Sequence, residues 1–186
     1  MRERLRILLL GYGNPGRCDD GLGPAIAEAV ENLGIPGVDI DSNYQLVVED
    51  AQAIAEHDVV IFADADVAGP EPFHFRPIEA EGQRTMRFSS HSVEPAEVLA
   101  LAKEMLGAKT TAYVLGIRGY EFNAFGERLS NGAKDNLSAA VTFIGQMSLP
   151  GKSGHTRGNR WRMCPNEDEK EIRRAVQGRF CSVADT

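Results

Sequence analysis

A chain of 186 residues with 42% hydrophobic and 25% charged residues is typical of one soluble globular domain, rather than of a disordered or membrane protein. The formal net charge of −7 disfavours nonspecific binding to nucleic acid. Apolar runs stay well short of the ~20 residues that span a bilayer, so we expect a cytoplasmic protein without membrane insertion.

The charge is unevenly distributed along the chain. Residues 1–148 contain 12 Lys and Arg against 22 Asp and Glu, a net charge of −10, whereas residues 149–186 contain 8 against 5, a net charge of +3. The second segment is rich in Gly, Pro and charge and has little periodicity. We predict one compact domain over residues 1–148 and a basic, partly disordered C-terminal tail over residues 149–186.

Strand and helix patterns alternate through the predicted domain. "LRILLLG" is a continuous apolar run, as in a strand that is buried on both faces. "LGPAIAEAVENLG" has helical spacing, and "EPAEVLALAKEMLG" is an amphipathic helix with proline near its first turn and a final glycine. We predict strands at 5–11, 38–47, 58–66, 73–78 and 110–119, and helices at 22–34, 49–57, 94–107 and 129–147. Pro77 favours an edge position for its strand, and Ser130 is a candidate N-cap.

This alternation predicts a three-layer α/β/α fold, phosphorylase/hydrolase-like, with a mostly parallel twisted sheet of about five strands. Right-handed crossovers bring the loops after the parallel strands to one edge of the sheet. Ligands bind such sheets outside the carboxyl ends of the strands. We therefore expect the functional residues to lie directly after the parallel strands.

Polar side chains follow several of these strands: Asn14, Asp19 and Asp20, then Asp64 and Asp66, then His91 before a helix, and finally Arg118 and Glu121. Carboxylates combined with an imidazole suit a borderline or transition-metal ion better than Mg²⁺ or Ca²⁺, which favour oxygen ligands.

Each of these residues also has a purely structural interpretation. Asp19 or Asp20 could cap the helix that starts near Leu22. Asp64 could cap loop amides, and His91 could be an ordinary residue at a helix start.

The remaining thiol and imidazole groups carry weaker signals. Cys18 lies inside the first turn, but no histidine is recognisably tied to it, which favours a structural thiol over a nucleophile. His57, His74 and His155 are predicted to be surface residues.

Several motifs together resemble those of a known family, the [NiFe]-hydrogenase maturation proteases, which are nickel-dependent endopeptidases. The resemblance rests on "GYGNPGRCDDGLG" after the first strand, on "VVIFADAD" and on "SSHS". "YVLGIRGYEF" followed by "FGERLS" is similar to the family's later strand and loop. These motifs cover about residues 5–145, in the family's order.

The resemblance implies a set of site residues. In that family a metal is bound by an acid in the first turn, an aspartate at the end of the middle strand and a histidine before the following helix. Matched by motif, these fall on Asp20, Asp64 and His91, which are thereby implied as metal ligands and catalytic residues. The acid in the turn is commonly glutamate, so Asp20 shortens that arm by about one methylene.

Such proteases cut a short C-terminal extension from the hydrogenase large-subunit precursor after its nickel has been inserted. The resemblance implies the same reaction here, with that precursor as partner and with nickel, the ion carried by the precursor, as cofactor. The sequence contains neither a Ser-His-Asp order nor a Cys-His pair that would supply a nucleophile. A metal could polarise the scissile carbonyl or activate water, or it could serve only for recognition, and the sequence leaves both roles open.

Three other readings start from the same turn. "GYGNPG" matches the G-x-G-x-x-G of dinucleotide-binding modules, although Asp19 and Asp20 would repel a pyrophosphate. "LLLGYGNPG" also looks like the opening of peptidyl-tRNA hydrolase, which needs an Asn-x-His element and a basic surface that residues 1–148 lack. The aspartate at position 20 also leaves open a proteolytically inactive relative that acts as a hydrogenase chaperone.

Overall fold

The computed structural model describes residues 5–80 and 93–148. All nine predicted elements are present in this range: strands β1 (Ile7–Tyr12), β2 (Val38–Asn43), β3 (Val59–Asp66), β4 (Phe73–Ile78) and β5 (Thr111–Arg118), and helices α1 (Leu22–Glu31), α2 (Asp50–Ala55), α3 (Pro95–Leu106) and α4 (Asn131–Ser148). A 3₁₀ turn, Cys18–Gly21, precedes α1. The predicted tail and His91 lie outside the described residues.

The five strands form one sheet in the order β2-β1-β3-β5-β4. β1 pairs in parallel with β2 and β3, and β3 in parallel with β5, while β4 runs antiparallel along the outer side of β5. The predicted mostly parallel sheet of about five strands is confirmed. Pro77 lies in the edge strand β4, as predicted, where its missing N–H leaves no gap within the sheet.

Helices cover both faces of the sheet. α1 and α4 pack on one face, where Leu9, Ile61 and Leu115 belong to their core cluster. α2 and α3 pack on the other face, where Leu10 and Phe62 are fully buried. Consecutive residues of the central strands are therefore buried on opposite faces, which explains the uninterrupted apolar runs. None of the helices in the described part of the chain is both long and apolar enough to cross a bilayer.

The helix ends follow local sequence signals. Gly107 ends α3 in the left-handed conformation, with φ of +67°. Glu94 and Glu97 form a reciprocal capping box at the start of α3. The hydroxyl of Ser130 accepts a hydrogen bond from the Ala133 N–H at 3.3 Å, so the predicted N-cap of α4 is confirmed.

Candidate active site

The carboxyl ends of β1, β3 and β5 meet at one edge of the sheet, because these strands are parallel and adjacent. The turn after β1 contains Asp20, β3 carries Asp64 near its end, and β5 ends at Arg118. The structure therefore brings the predicted strand-end residues to the same edge. His91, the third predicted ligand, falls outside the described residues.

The glycines of the first turn allow close backbone packing. A Cβ on Gly23 would overlap the carbonyl oxygens of Tyr12 and Ala63, and a Cβ on Gly13 would overlap the carbonyl oxygen of Asp20. Gly13 also has φ of +139°, a conformation that other residues rarely adopt. These glycines let α1 and the turn approach β1 and β3 directly, and their presence is explained without a bound phosphate.

Asp20 is half-buried and faces the turn that precedes it. Its Oδ2 accepts a hydrogen bond from the Asn14 N–H at 3.2 Å. The Asn14 side chain in turn accepts one from the Gly16 N–H at 2.9 Å, which shapes the loop between them. Among the described residues, the Asn14 N–H holds the Asp20 carboxylate, which retains acceptor capacity.

Asp19 has a different function from its neighbour. It is fully buried and accepts hydrogen bonds from the N–H groups of Tyr120 (2.8 Å), Glu121 (2.9 Å) and Ser130 (2.7 Å) and from the Ser130 hydroxyl (2.7 Å). Burial acts to raise the pKa of Asp19, but these hydrogen bonds outweigh it and hold the pKa below its ordinary value. Asp19 therefore ties the turn after β1 to the loop between β5 and α4.

Neither aspartate caps α1. The N-cap position of that helix is Gly21, and no side chain caps it there. The capping interpretation of Asp19 and Asp20 was therefore wrong. Asp19 instead satisfies the backbone of a loop 101 to 111 residues further along the chain, a partnership that local sequence does not reveal.

Asp64 is a largely desolvated carboxyl group near the end of β3. Burial raises its pKa to about 7. The Ala65 N–H, which donates to Oδ1 at 2.7 Å, acts in the opposite direction, whereas the charges of Asp20 and Glu94 add to the increase. The half-buried acid therefore lies close enough to Asp20 for the two charges to interact.

Two carboxylates in this arrangement fit a cation. A positive ion between Asp20 and Asp64 would relieve their repulsion and compensate the desolvation of Asp64. Within residues 5–80 and 93–148, no three His, Cys, Asp and Glu side chains cluster closely enough to hold a metal ion. A protein-held metal would therefore need a further ligand from the undescribed residues, and His91 is the predicted one.

Tyr12 is a participant that the sequence interpretation missed. It is the last residue of β1, and the charge of Asp64 acts on its hydroxyl. Burial, followed by the charges of Asp64 and Glu94, raises the pKa of Tyr12, so the hydroxyl remains a donor. A signal was available, because Tyr12 continues the alternation of Leu8 and Leu10 on the face of the sheet that carries Asp64.

The other strand-end residues have structural partners. The Asp66 carboxylate accepts from the N–H groups of Ala68 at 2.9 Å and Gly69 at 2.7 Å, which holds the loop after β3. The Arg118 guanidinium donates to the Val67 carbonyl and lies 5.4 Å from the centre of the Tyr120 ring. These contacts shape the loops around the site.

The Glu121 carboxylate pairs with Arg128 at 3.4 Å. This ion pair lies within the segment between β5 and α4, and both partners are exposed. Glu121 therefore contributes to the loop through this pair and through its backbone N–H, which donates to Asp19.

Cys18 is 1% exposed, and its thiol contacts the Ala124 carbonyl with an Sγ···O distance of 3.5 Å. It also has φ of +52°, which is uncommon outside glycine. A thiol that is enclosed in this way supports the prediction of a structural residue rather than a nucleophile.

The prediction that His57 and His74 are surface residues was wrong. His57 is 9% exposed, and its ring contacts Asp39 at 2.9 Å and the Ala53 carbonyl at 2.6 Å. The half-buried ring of His74 contacts Asp66 at 2.8 Å and lies over Gly116 of β5, where a Cβ would overlap it. In both cases a strand carboxylate, Asp39 of β2 or Asp66 of β3, compensates burial of the imidazole. His155 lies outside the described residues.

Comparisons with known proteins agree with this architecture. No family model matches the chain. The hydrogenase expression/formation protein HupD of Thiocapsa roseopersicina is 28% identical over 153 residues; the match covers 76% of this chain and 66% of that protein, just under two thirds of its length.

Solved structures extend the likeness to the fold. The [NiFe] hydrogenase maturation protease HycI from Thermococcus kodakarensis KOD1 has 26% identity and a TM-score of 0.58, covering 76% of this chain and 90% of its own. The hydrogenase maturating endopeptidase HybD from E. coli has 23% identity and a TM-score of 0.61, covering 75% of this chain and 90% of its own. In sequence and in fold, the chain is thus similar to [NiFe]-hydrogenase maturation proteases, as the resemblance of its motifs predicted.

Proposed function

We propose that this protein is an endopeptidase that removes a short C-terminal extension from the precursor of a [NiFe]-hydrogenase large subunit after nickel insertion, and that it acts in the cytoplasm. The observation that carries the proposal is the desolvated Asp64 carboxyl, whose pKa burial raises and whose neighbour Asp20 adds like charge. Such an acidic pair at the carboxyl edge of a parallel sheet is suited to meet a cation. Two similar proteins are named as hydrogenase maturation peptidases.

The proposed site residues are Asp20, Asp64 and His91, and the cation is the nickel carried by the precursor. Bound there, nickel would supply Lewis-acid polarisation of a carbonyl or of water, or would mark the mature substrate for recognition. The protein's own contribution is to hold the Asp20 carboxylate with the Asn14 N–H and the Asp64 carboxylate with the Ala65 N–H. The enclosed Cys18 thiol favours this metal-assisted chemistry over thiol catalysis.

The same edge of the sheet exposes apolar side chains that suit a polypeptide substrate. Val67, after β3, is 64% exposed, and Phe125, after β5, is 92% exposed. Tyr120 also lies in the loop after β5, and its hydroxyl donates a hydrogen bond to the Glu71 carboxylate at 2.7 Å. Exposed apolar groups next to a polar site are typical of surfaces that bind peptides or proteins.

The proposal is tested by incubating the protein with nickel-loaded and nickel-free large-subunit precursor and measuring the precursor mass. We expect loss of a C-terminal peptide only from the nickel-loaded form. The Asp64→Ala variant is expected to lose this activity, while Asp135→Asn, which changes an exposed carboxylate on α4, serves as the matched control. A wild-type protein that leaves both precursor forms intact would refute the proposed function.

A further inference from the structure

Phe125 is an exposed aromatic residue in the loop between β5 and α4. It is 92% exposed, the largest exposed fraction among the large hydrophobic side chains that the structure describes. Single exposed hydrophobic residues are common on protein surfaces and need no explanation by themselves. What distinguishes Phe125 is that the backbone on both sides of it is firmly held, and that it is held to the turn of the candidate site.

The residues on either side of Phe125 are bonded to the turn after β1. On one side, the Cys18 thiol contacts the Ala124 carbonyl with an Sγ···O distance of 3.5 Å. On the other side, the Gly126 carbonyl accepts a hydrogen bond from the Cys18 N–H at 2.9 Å, and the Gly126 N–H donates to the Gly16 carbonyl at 2.9 Å. These two backbone bonds form a parallel bridge between the loop and the turn. The backbone position of Phe125 is therefore fixed, while its ring faces solvent.

The turn that holds the Phe125 loop also carries Asp20, one of the proposed contacts to the cation. The Asp20 N–H donates to the Arg17 carbonyl at 3.3 Å, which places Asp20 within this turn. The start of the loop is tied to the same turn, because the Asp19 N–H donates to the Glu121 carbonyl at 2.9 Å. A polypeptide that brings a metal ion to Asp20 therefore also approaches the loop that presents Phe125.

We propose that Phe125 is a specificity-determining residue, an anchor that binds an apolar side chain of the precursor polypeptide next to its nickel ion. The inference rests on the proposed function. Aromatic side chains are enriched in the cores of protein interfaces, where a few residues carry most of the binding energy. An aromatic ring on a backbone that is already fixed loses little conformational freedom on binding, which favours affinity. Phe125 therefore acts on binding of the precursor and not on the chemical step.

The test compares Phe125→Ala with the wild type and with Met105→Ala. Met105 is 74% exposed near the end of α3, which precedes the start of β5 and so lies at the opposite edge of the sheet from the site. We expect Phe125→Ala to raise KM for nickel-loaded precursor about 10-fold or more, with kcat within about twofold of the wild type. Met105→Ala should behave as the wild type, and the thermal midpoints of all three proteins should agree within about 3 °C. Phe125→Leu, which keeps an apolar side chain, should recover most of the lost affinity.

A second measurement does not depend on processing. Isothermal titration calorimetry gives the dissociation constants of the three proteins for nickel-free large-subunit precursor, and Phe125→Ala should bind about 10-fold or more weakly than the wild type. The inference is overturned if Phe125→Ala binds this precursor as tightly as the wild type, or if Met105→Ala loses as much affinity. If the wild type binds the precursor but cleaves neither form, the proposed function fails, and the dissociation constants alone decide whether Phe125 is an anchor. If the wild type binds neither form, both proposals fail.

Discussion

The carboxylate of Asp19 accepts a hydrogen bond from the Ser130 hydroxyl at 2.7 Å. This bond joins the turn after β1 to Ser130, the N-cap residue of α4, which lies 111 positions later in the sequence. The same hydroxyl accepts a hydrogen bond from the Ala133 N–H. The bond therefore links a loop beside the candidate site to the N-terminus of the longest helix. Asp20, the next residue, directly follows this link in the chain, and its own carboxylate is held by the Asn14 N–H.

Replacing Asp19 by alanine is expected to destabilise the protein by about 3 kcal/mol or more. Three backbone N–H groups and the Ser130 hydroxyl would lose their buried acceptor. Asp19→Asn retains the shape and one acceptor oxygen and should cost less than the alanine change. Urea unfolding of the three proteins measures the difference. A free energy of unfolding for Asp19→Ala within about 1 kcal/mol of wild type would contradict the proposed link.

The raised pKa of Asp64 predicts that the difference in stability between the metal-free wild type and Asp64→Asn depends on pH. Its pKa in the folded state, about 7, is above the ordinary value of 3.8, so the folded protein holds this proton more tightly than the unfolded chain. The contribution of Asp64 to stability therefore falls as pH rises from about 4 to about 7. Asp64→Asn lacks this titration.

We expect the thermal midpoint of Asp64→Asn to match the wild type near pH 4 and to exceed it by roughly 2 to 6 °C at pH 8. Asp135→Asn, at an exposed position of α4, serves as the matched control. Scanning calorimetry across this range provides the measurement. A constant difference between Asp64→Asn and wild type would show that Asp64 does not titrate abnormally.

The glycine contacts predict opposite effects for two Gly→Ala changes. Gly23→Ala places a Cβ against the carbonyl oxygens of Tyr12 and Ala63, which should cost about 1–3 kcal/mol or more. Gly145→Ala in α4 would bring its Cβ to 3.7 Å from the Leu33 side chain, an ordinary van der Waals contact, and should stabilise the helix by about 0.5–1 kcal/mol. Chemical unfolding of both variants tests the pair, and equal effects of the same sign would argue against the packing role of Gly23.

Processing should depend on charge at position 20 and on the imidazole at position 91. We expect Asp20→Asn and His91→Ala to slow cleavage of nickel-loaded precursor by more than about 100-fold, because each removes a proposed contact to the cation. Asp20→Glu, which keeps the charge, should retain activity. Rates are followed by mass spectrometry of the precursor. Wild-type rates for both Asp20→Asn and His91→Ala would disprove this assignment.

Much of the architecture was predictable because its signals are local. The apolar run before the first glycine turn, the spacing of "EPAEVLALAKEMLG" and the glycine at 107 each act over a few residues, and each predicted element is present. Pro77 indicated an edge strand for a purely local reason, its missing N–H donor. The alternation of these elements was sufficient to predict a mostly parallel sheet with helices on both faces.

The partners of individual polar residues were not predictable in the same way. His57 appeared to be an exposed helix-end residue, yet it is buried against Asp39, which lies on β2. His74 appeared to be an edge-strand surface residue, yet its ring lies over a glycine of β5 and contacts Asp66. These pairs join segments that become neighbours only when the sheet has formed.

The sequence by itself determined the order of elements, the edge at which Asp20 and Asp64 had to meet, and the family that the chain resembles, because these depend on periodicity and on short motifs. Only the tertiary structure decided that Asp19 supports a distant loop, and that Asp20 lies close enough to Asp64 for the two charges to interact. The physical reason is that hydrogen bonding and desolvation act between atoms close in space, and the closest partners of Asp19 lie more than 100 residues away in sequence.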